Sequence, residues 1–370
     1  MTRLYLSASL LATLSLILSA CETTHTTAPD PVLSTSADVH STPGPPLPED
    51  AIIEPAGVSE AAKPNDTETY GSYRPDDKSP DERVPDIIKR GRLIVGVDRS
   101  NNLLSYRDTA TGEVRGFEVD IAREIARDIF GDPSKVDFRF VEASDRAKAL
   151  NERTVDMVIR TMTISPERQR EVAFSIPYMK TDARLLVLKN SGIHSIEDAA
   201  GLTLCAAKGS TMVDAIRKHS PSSDILETRA WGDCLMSLQL GQTDGIVVDD
   251  ALLSGMLAQD SYTEIVGEPL ETQSYGVAVR KPDTSYDSRP LIRQVNSTLE
   301  RIRSDGTWSK LFTTWLGNYM ERPSLPAPKY LDETPPTTEA TEATSSTAAA
   351  SEDRAAEGDS KADTTEEGQP

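Results

Sequence analysis

What this sequence lacks narrows its chemistry first. Aromatic residues are only 5% of the 370, and there are just three cysteines and four histidines. His25, His40, His194 and His219 are scattered without metal-ligand spacing, so no metal is expected. Gly-x-Ser-x-Gly elbows, phosphate-cradling glycine loops and paired nucleophile and base motifs do not occur. Nucleophilic catalysis and a nucleotide cofactor therefore have no candidate residues, and the chain is expected not to be an enzyme and to need no cofactor. Basic charge is in deficit, with 39 Lys and Arg against 59 Asp and Glu. No basic cluster stands out, which argues against nucleic acid as a partner. No repeat of solenoid type is found, and the one long apolar run lies at the N-terminus.

That run, Leu4 to Ala20, follows a single basic residue, Arg3, and ends in small residues before Cys21. Residues 1–20 read as a secretory signal; the alternative, a membrane anchor, would need a longer span less interrupted by Ser and Thr. Leu18-Ser19-Ala20-Cys21 resembles a bacterial lipoprotein box. The resemblance implies that Cys21 carries lipid and holds the protein on the outer face of the cell membrane.

The net charge of −20 is carried by the ends of the chain. Residues 22–82 hold 13 acidic and 3 basic residues, residues 331–370 hold 11 and 2, and residues 83–330 hold 35 and 33. The first segment is rich in Pro, Thr, Ser and Asp and the last in Thr, Ala and Glu, and neither shows sustained apolar periodicity. Residues 21–83 are therefore expected to form a lipidated, disordered tether and residues 331–370 a disordered acidic tail. The nearly neutral middle is long enough for a sizeable core divided between two lobes.

Within it, apolar strands alternate with amphipathic helices. Val84 to Arg90 predicts a short helix closed by Gly91, and Leu93 to Val97 a buried strand. Ile121, Ile125 and Ile129 place one apolar face on a helix, and strands are expected at Asp137–Val141 and Val155–Ile159. The alternation restarts after Tyr178, with strands at Thr203–Ala207, Ile225–Thr228, Gly245–Asp249 and Tyr275–Arg280. This order predicts an α/β fold whose parallel strands present ligands at their carboxyl ends.

One stretch organises the middle: Val155 to Tyr178, VDMVIRTMTISPERQREVAFSIPY. An apolar strand turns abruptly into hydroxyls at Thr161, Thr163 and Ser165, and Pro166 marks a helix start just before Arg168. Hydroxyls, backbone donors and an arginine at a helix start suit a small carboxylate, although an ordinary N-capped surface loop reads the same. The order D-hydrophobic-hydrophobic, T-x-T-x-x-x-R, F-S-x-P-Y resembles the signature of the bacterial extracellular solute-binding proteins of family 3, which bind polar amino acids. GFEVDIAREIA (Gly116 to Ala126), VVDDALLSG (Val247 to Gly255) and DGTWSKLFTTWLG (Asp305 to Gly317) extend the resemblance.

The resemblance implies a two-lobe periplasmic-binding-protein fold of type II with a hinge cleft. The first lobe would comprise residues 84–182 and 273–330, and the second residues 183–272. It also implies the ligand set. Arg168 would take the α-carboxylate, with Thr163, Ser210 and Thr211 as further donors. The Thr161 carbonyl and Asp249 would meet the ammonium. Asp249 next to Asp250 also reads as a plain helix cap. Arg146, in SDRAKAL, resembles the arginine of relatives that prefer acidic side chains, and is otherwise a helix-surface residue. Trp231 and Tyr106 are candidate pocket walls or core aromatics, and Asp98 or Arg99 a ligand-facing group. Leu103-Leu104 stands where relatives carry Pro-Phe.

With Cys21 assigned to lipid, Cys205 and Cys234 are left to pair in an oxidising compartment, the alternative being two buried thiols. The functional expectation is a monomeric, membrane-anchored receptor for glutamate or aspartate. Its partner would be the permease of an ABC importer or a membrane signalling protein. A periplasmic dehydratase-like enzyme on the same fold is the competing expectation.

Overall fold

The computed structural model describes residues 44–59 and 71–331. The chain separates into residues 1–44 and 45–370, and the description below concerns the second unit. The expected signal sequence, Cys21 and residues 332–370 lie outside the described residues.

In chain order the elements are β1 (Ile52–Glu54), α1 (Pro80–Arg83), α2 (Pro85–Arg90), β2 (Leu93–Val97), β3 (Ser100–Asn101), β4 (Ser105–Arg107), β5 (Val114–Arg115), α3 (Phe117–Phe130), β6 (Val136–Phe140), α4 (Arg146–Asn151), β7 (Met157–Val158), α5 (Pro166–Glu171), β8 (Val172–Leu188), β9 (Thr203–Ala207), α6 (Met212–His219), β10 (Asp224–Thr228), α7 (Trp231–Gln239), β11 (Gly245–Asp249), α8 (Asp250–Gln259), β12 (Thr263–Arg280), α9 (Arg289–Ser304) and α10 (Thr307–Trp315). Nine strands form one sheet in the order β1-β10-β9-β11-β8-β12-β7-β2-β6. The first lobe contributes the parallel set β7, β2 and β6, and the second the parallel set β10, β9 and β11.

Between them run the long antiparallel strands β8 and β12, which belong to both lobes. Thr272 pairs with Asp182 and Glu271 with Ala183 midway along these strands, and the register slips between Val266 and Glu271. Of β12, sequence periodicity resolves only the end at Tyr275–Arg280, because the middle of the strand, GEPLETQ, carries no apolar alternation.

The buried faces follow the sequence pattern. Phe117, Ile121, Ile125 and Ile129 of α3 are buried, and Phe117 meets Trp308 and Phe312 of α10 edge-on at 6.1 and 6.3 Å. Leu291, Ile292, Val295, Leu299 and Ile302 give α9 its inner face. Each such side chain contributes about 1.5–3 kcal/mol relative to exposure.

The reading of residues 21–83 as a disordered tether needs correction where the structure describes it. Ile52, Ile53 and Glu54 pair antiparallel with Glu227, Leu226 and Ile225, so β1 closes the edge of the second lobe's strands. The two Glu54 carboxylate oxygens accept from Nε and Nη2 along one edge of the Arg217 guanidinium, which holds the carboxyl below the usual range. Ser72 exchanges backbone hydrogen bonds with Lys329 and Leu331, 2.8 Å each. The buried Asn296 amide donates to Ser72 Oγ and Tyr73 O at 2.7 Å and accepts from Ile176 N at 2.8 Å. Order in these segments comes from backbone and polar bonds to a core made elsewhere in the chain. Apolar periodicity within the segment cannot signal it.

Candidate functional site

The strand end that follows β7 carries the site. Thr161 has φ 41°, an uncommon conformation for a β-branched residue and one associated with functional sites. Its N–H donates to Glu118 Oε1 at 2.6 Å, and the Tyr178 hydroxyl donates to the same oxygen. Burial pushes the Glu118 carboxyl up to about 7, against the lowering effect of these two bonds.

Arg168 follows Ser165, whose hydroxyl caps α5 by accepting from Arg168 N at 3.2 Å. The cap turns the half-buried guanidinium back toward the strand end, where it donates to Thr163 O at 3.0 Å and to Gly209 O of the second lobe at 3.1 Å. Desolvation disfavours its charge, and Asp249 offsets part of that. Arg146, at the start of α4, is buried and donates only to carbonyls. Ala143, Arg160, Thr161 and Gly209 accept at 2.8, 3.2, 3.4 and 3.2 Å. Burial, then the like charges of Arg168 and Arg160, push its pKa well down.

The second lobe answers with Ser210, Thr211 and Asp249. Ser210 Oγ is buried and has no hydrogen-bond partner among the described residues. Thr211 precedes α6 but does not cap it; its hydroxyl and that of Thr163 both donate to Gln273 Oε1, at 2.9 and 2.7 Å. Asp249 closes β11 beside Arg184 and Ala183 of β8. Its Oδ2 accepts from the Tyr275 hydroxyl at 2.6 Å, and its Oδ1 is buried without a partner among the described residues. Burial pushes this carboxyl up to about 7.

The lobes touch around these groups. Gly209, at φ +73°, lies so close to Ser144 that a Cβ would meet its Cα at 3.1 Å. Gly255 accepts from Asn102 Nδ2 at 3.2 Å, and a Cβ there would sit 2.3 Å from Asn102 O. Arg229 and Glu142 pair across the cleft at 3.1 Å.

The structure therefore brings Arg146, Thr161, Thr163, Arg168, Ser210, Thr211 and Asp249 together. Tyr106 instead packs edge-on against Trp315 at 6.3 Å, away from them, and Trp231 is buried at the start of α7 near Asn101 and Asn102. Sequence reasoning missed Glu118, Arg160 and Gln273. Glu118 was detectable: it shares the apolar face of Ile121, Ala122 and Ile125, where a carboxylate is out of place. Arg160 directly follows the apolar strand and forms a buried ion pair with Asp98. Gln273 carries no local signal. Among the described residues no group of three or more metal-ligating side chains converges.

Asp249 gives a pH dependence with a definite sign. Its carboxyl binds a proton in the folded, ligand-free chain up to about 7, well above the unfolded value. Its contribution to the stability of the ligand-free protein is thus full below the unfolded pKa and is lost as pH rises through 7. A cationic ligand group placed beside Oδ1 would favour the ionised form, and its binding would then weaken as pH falls from 7.5 to 5.5, by about tenfold or less per unit. Calorimetry at the two pH values checks this, and Asp249→Asn should flatten the slope as well as weaken binding.

The glutamine-binding protein GlnH of an ABC transporter from Bacillus subtilis (strain 168) is 33% identical over 231 residues, 62% of this chain and 83% of that protein. The glutamate-binding protein GluB of Corynebacterium efficiens is 28% identical over 242 residues, 62% and 80% of the two chains. Among solved structures, the solute receptor for L-cysteine of Neisseria gonorrhoeae matches with a TM-score of 0.60 at 26% identity, over 64% of this chain and 94% of that one. The family profile matches residues 93–318, which span β2 to the end of α10 and contain every residue of the site. The chain belongs to the bacterial extracellular solute-binding proteins, family 3.

Proposed function

We propose that this protein is a lipid-anchored receptor on the extracytoplasmic face of the cell membrane that closes around glutamate or aspartate. In this reading Arg168, Thr163, Ser210 and Thr211 hold the α-carboxylate, and the Thr161 carbonyl and Asp249 hold the ammonium. The observation that carries the acidic assignment is the charge balance of the site. Arg146, Arg160 and Arg168 converge within mutual electrostatic reach. Asp98 pairs with Arg160 and Asp249 is taken up by the ligand ammonium, while burial pushes Glu118 toward neutrality, which leaves the Arg146 charge without an anion of its own. A ligand with an extra carboxylate relieves this cationic excess, and one with an amide does not.

Relatives named for glutamine and for glutamate support an α-amino acid ligand of this size. The receptor works as a monomer and hands its ligand to an ABC permease or reports it to a membrane signalling protein. Its hinge runs through the middle of β8 and β12, near residues 182–183 and 271–272.

Calorimetry with glutamate, aspartate, glutamine and asparagine tests the assignment. The native protein should prefer the two acids, and Arg146→Ala should shrink that preference by the equivalent of about 1–3 kcal/mol. An equal loss for all four ligands would show that Arg146 is structural. The competing reading, a dehydratase-like enzyme, draws on the Asp249 carboxyl, whose pKa near neutrality suits proton transfer. Loss of water from hydroxylated cyclic acids incubated with the protein would favour it.

A further inference from the structure

Arg146 has its N–H groups directed at four carbonyls. Arg160 is different. It is 3% exposed, and one Nη2 contact to Asp98, itself 4% exposed, is its ion pair. Its Nε and Nη1 have no partner among the described residues. Leaving two guanidinium donors buried and unbonded is costly, and such groups normally mark a place where something else accepts.

Arg160 lines a cleft of about 280 Å³ between the lobes, together with Asp98 and Ser100 of the first lobe and Arg229 and Asp233 of the second. Asp98 is held by three donors, Ser100 N at 2.7 Å, Ser100 Oγ at 2.9 Å and Asn101 N at 3.2 Å, and it takes Nη2 of Arg160, leaving Nε and Nη1 unpaired among the described residues. Beside it the buried Asn101 amide also has both Oδ1 and Nδ2 unpartnered among the described residues. Arg160 and Thr161 are consecutive, and Arg146 Nη1 binds both of their carbonyls. The unpaired donors of Arg160 therefore belong to the same strand end as the groups assigned to the α-carbon.

We infer that Arg160, oriented by Asp98, forms the subsite that reads the side-chain carboxylate of a dicarboxylic amino acid through its unpaired terminal nitrogen, Nη1. Arg146 acts on this subsite as a positioning residue, holding the backbone of residues 160 and 161 and adding long-range positive charge. The inference rests on the receptor reading above and assigns its specificity to a residue that the reading leaves without a role of its own. Asp98 tunes the subsite: it neutralises Arg160 in part, so removing its charge sharpens the demand for an anion.

Two variants test this against the native protein by calorimetry with glutamate and glutamine. Arg160→Gln keeps a donor for Asp98 and should cut glutamate affinity at least tenfold more than glutamine affinity. Asp98→Asn keeps the shape, leaves Arg160 without its counter-ion, and should raise the glutamate-to-glutamine ratio at least fivefold. A structural role for the pair would weaken both ligands together. If Arg160→Gln does not fold, the Asp98→Asn ratio decides alone. An unchanged ratio in Asp98→Asn, or equal losses in Arg160→Gln, overturns the inference. If the native protein instead prefers glutamine, the acidic assignment fails. Asp98→Asn must still move the ratio toward glutamate for Arg160 to keep its role.

Discussion

Replacing Arg168 by alanine abolishes binding of every amino acid at concentrations where the native protein saturates. In the receptor reading its planar fork is the main counter-charge for the α-carboxylate, a group common to all candidate ligands. Removing one partner of a buried pair strands the other without solvent, a penalty of about 3–5 kcal/mol, or roughly two to four orders of magnitude in Kd. The ligand-free fold should tolerate the change. The partners of Arg168 in the protein are two carbonyls, Thr163 O and Gly209 O, and no carboxylate is left unpaired at hydrogen-bond distance. Circular dichroism of the variant should therefore match the native protein while calorimetry shows no heat of binding. Near-native affinity would mean that the carboxylate sits elsewhere in the cleft.

Loss of the Cys205–Cys234 disulfide should be the most destabilising covalent change. The bond joins β9 to α7 with a Cα–Cα distance of 5.6 Å across 29 residues of chain. A closed loop of that length restricts the unfolded chain by the equivalent of about 3–4 kcal/mol on the chain-entropy account. Both sulfurs are buried beside the Thr228 hydroxyl, so reduction also leaves two thiols in a packed core. Denaturant unfolding of Cys205→Ala/Cys234→Ala should show a midpoint well below that of the native protein, and added reductant should bring the native protein close to the variant. Equal midpoints in all three cases would rule out a stabilising bond. Two thiols labelled in the unfolded, unreduced protein would rule out the bond itself.

Much of the fold was readable because its signals are local. The run from Val155 to Ile159 breaks into hydroxyls at Thr161, and a proline follows at the helix start, so strand, loop and helix announce themselves within a dozen residues. The isoleucines of α3 and the inner face of α9 do the same. What was not readable depends on partners far along the chain. β12 is continuous because β8 lies beside it, although GEPLETQ has no strand pattern of its own. β1 exists because the edge of β10 offers unpaired backbone to Ile52–Glu54.

The site divides in the same way. Arg168 and Thr163 stand in a contiguous motif and were legible from it. The Arg160–Asp98 pair joins the ends of two neighbouring strands; the resemblance offers Asp98 or Arg99 as a ligand-facing group, whereas Arg160 alone reads as an ordinary charge. Gln273, which gathers the hydroxyls of Thr163 and Thr211, shows nothing until both lobes are in place.

A thermal-shift screen of the native protein against all twenty amino acids tests the central claim most directly. A ligand present at about 100 times its Kd adds roughly 2.7 kcal/mol to the folded state, which moves the midpoint by several degrees in a domain of this size. The account predicts the largest shifts from glutamate and aspartate, smaller ones from glutamine and asparagine, and none from the apolar amino acids. A flat response to all twenty would contradict it.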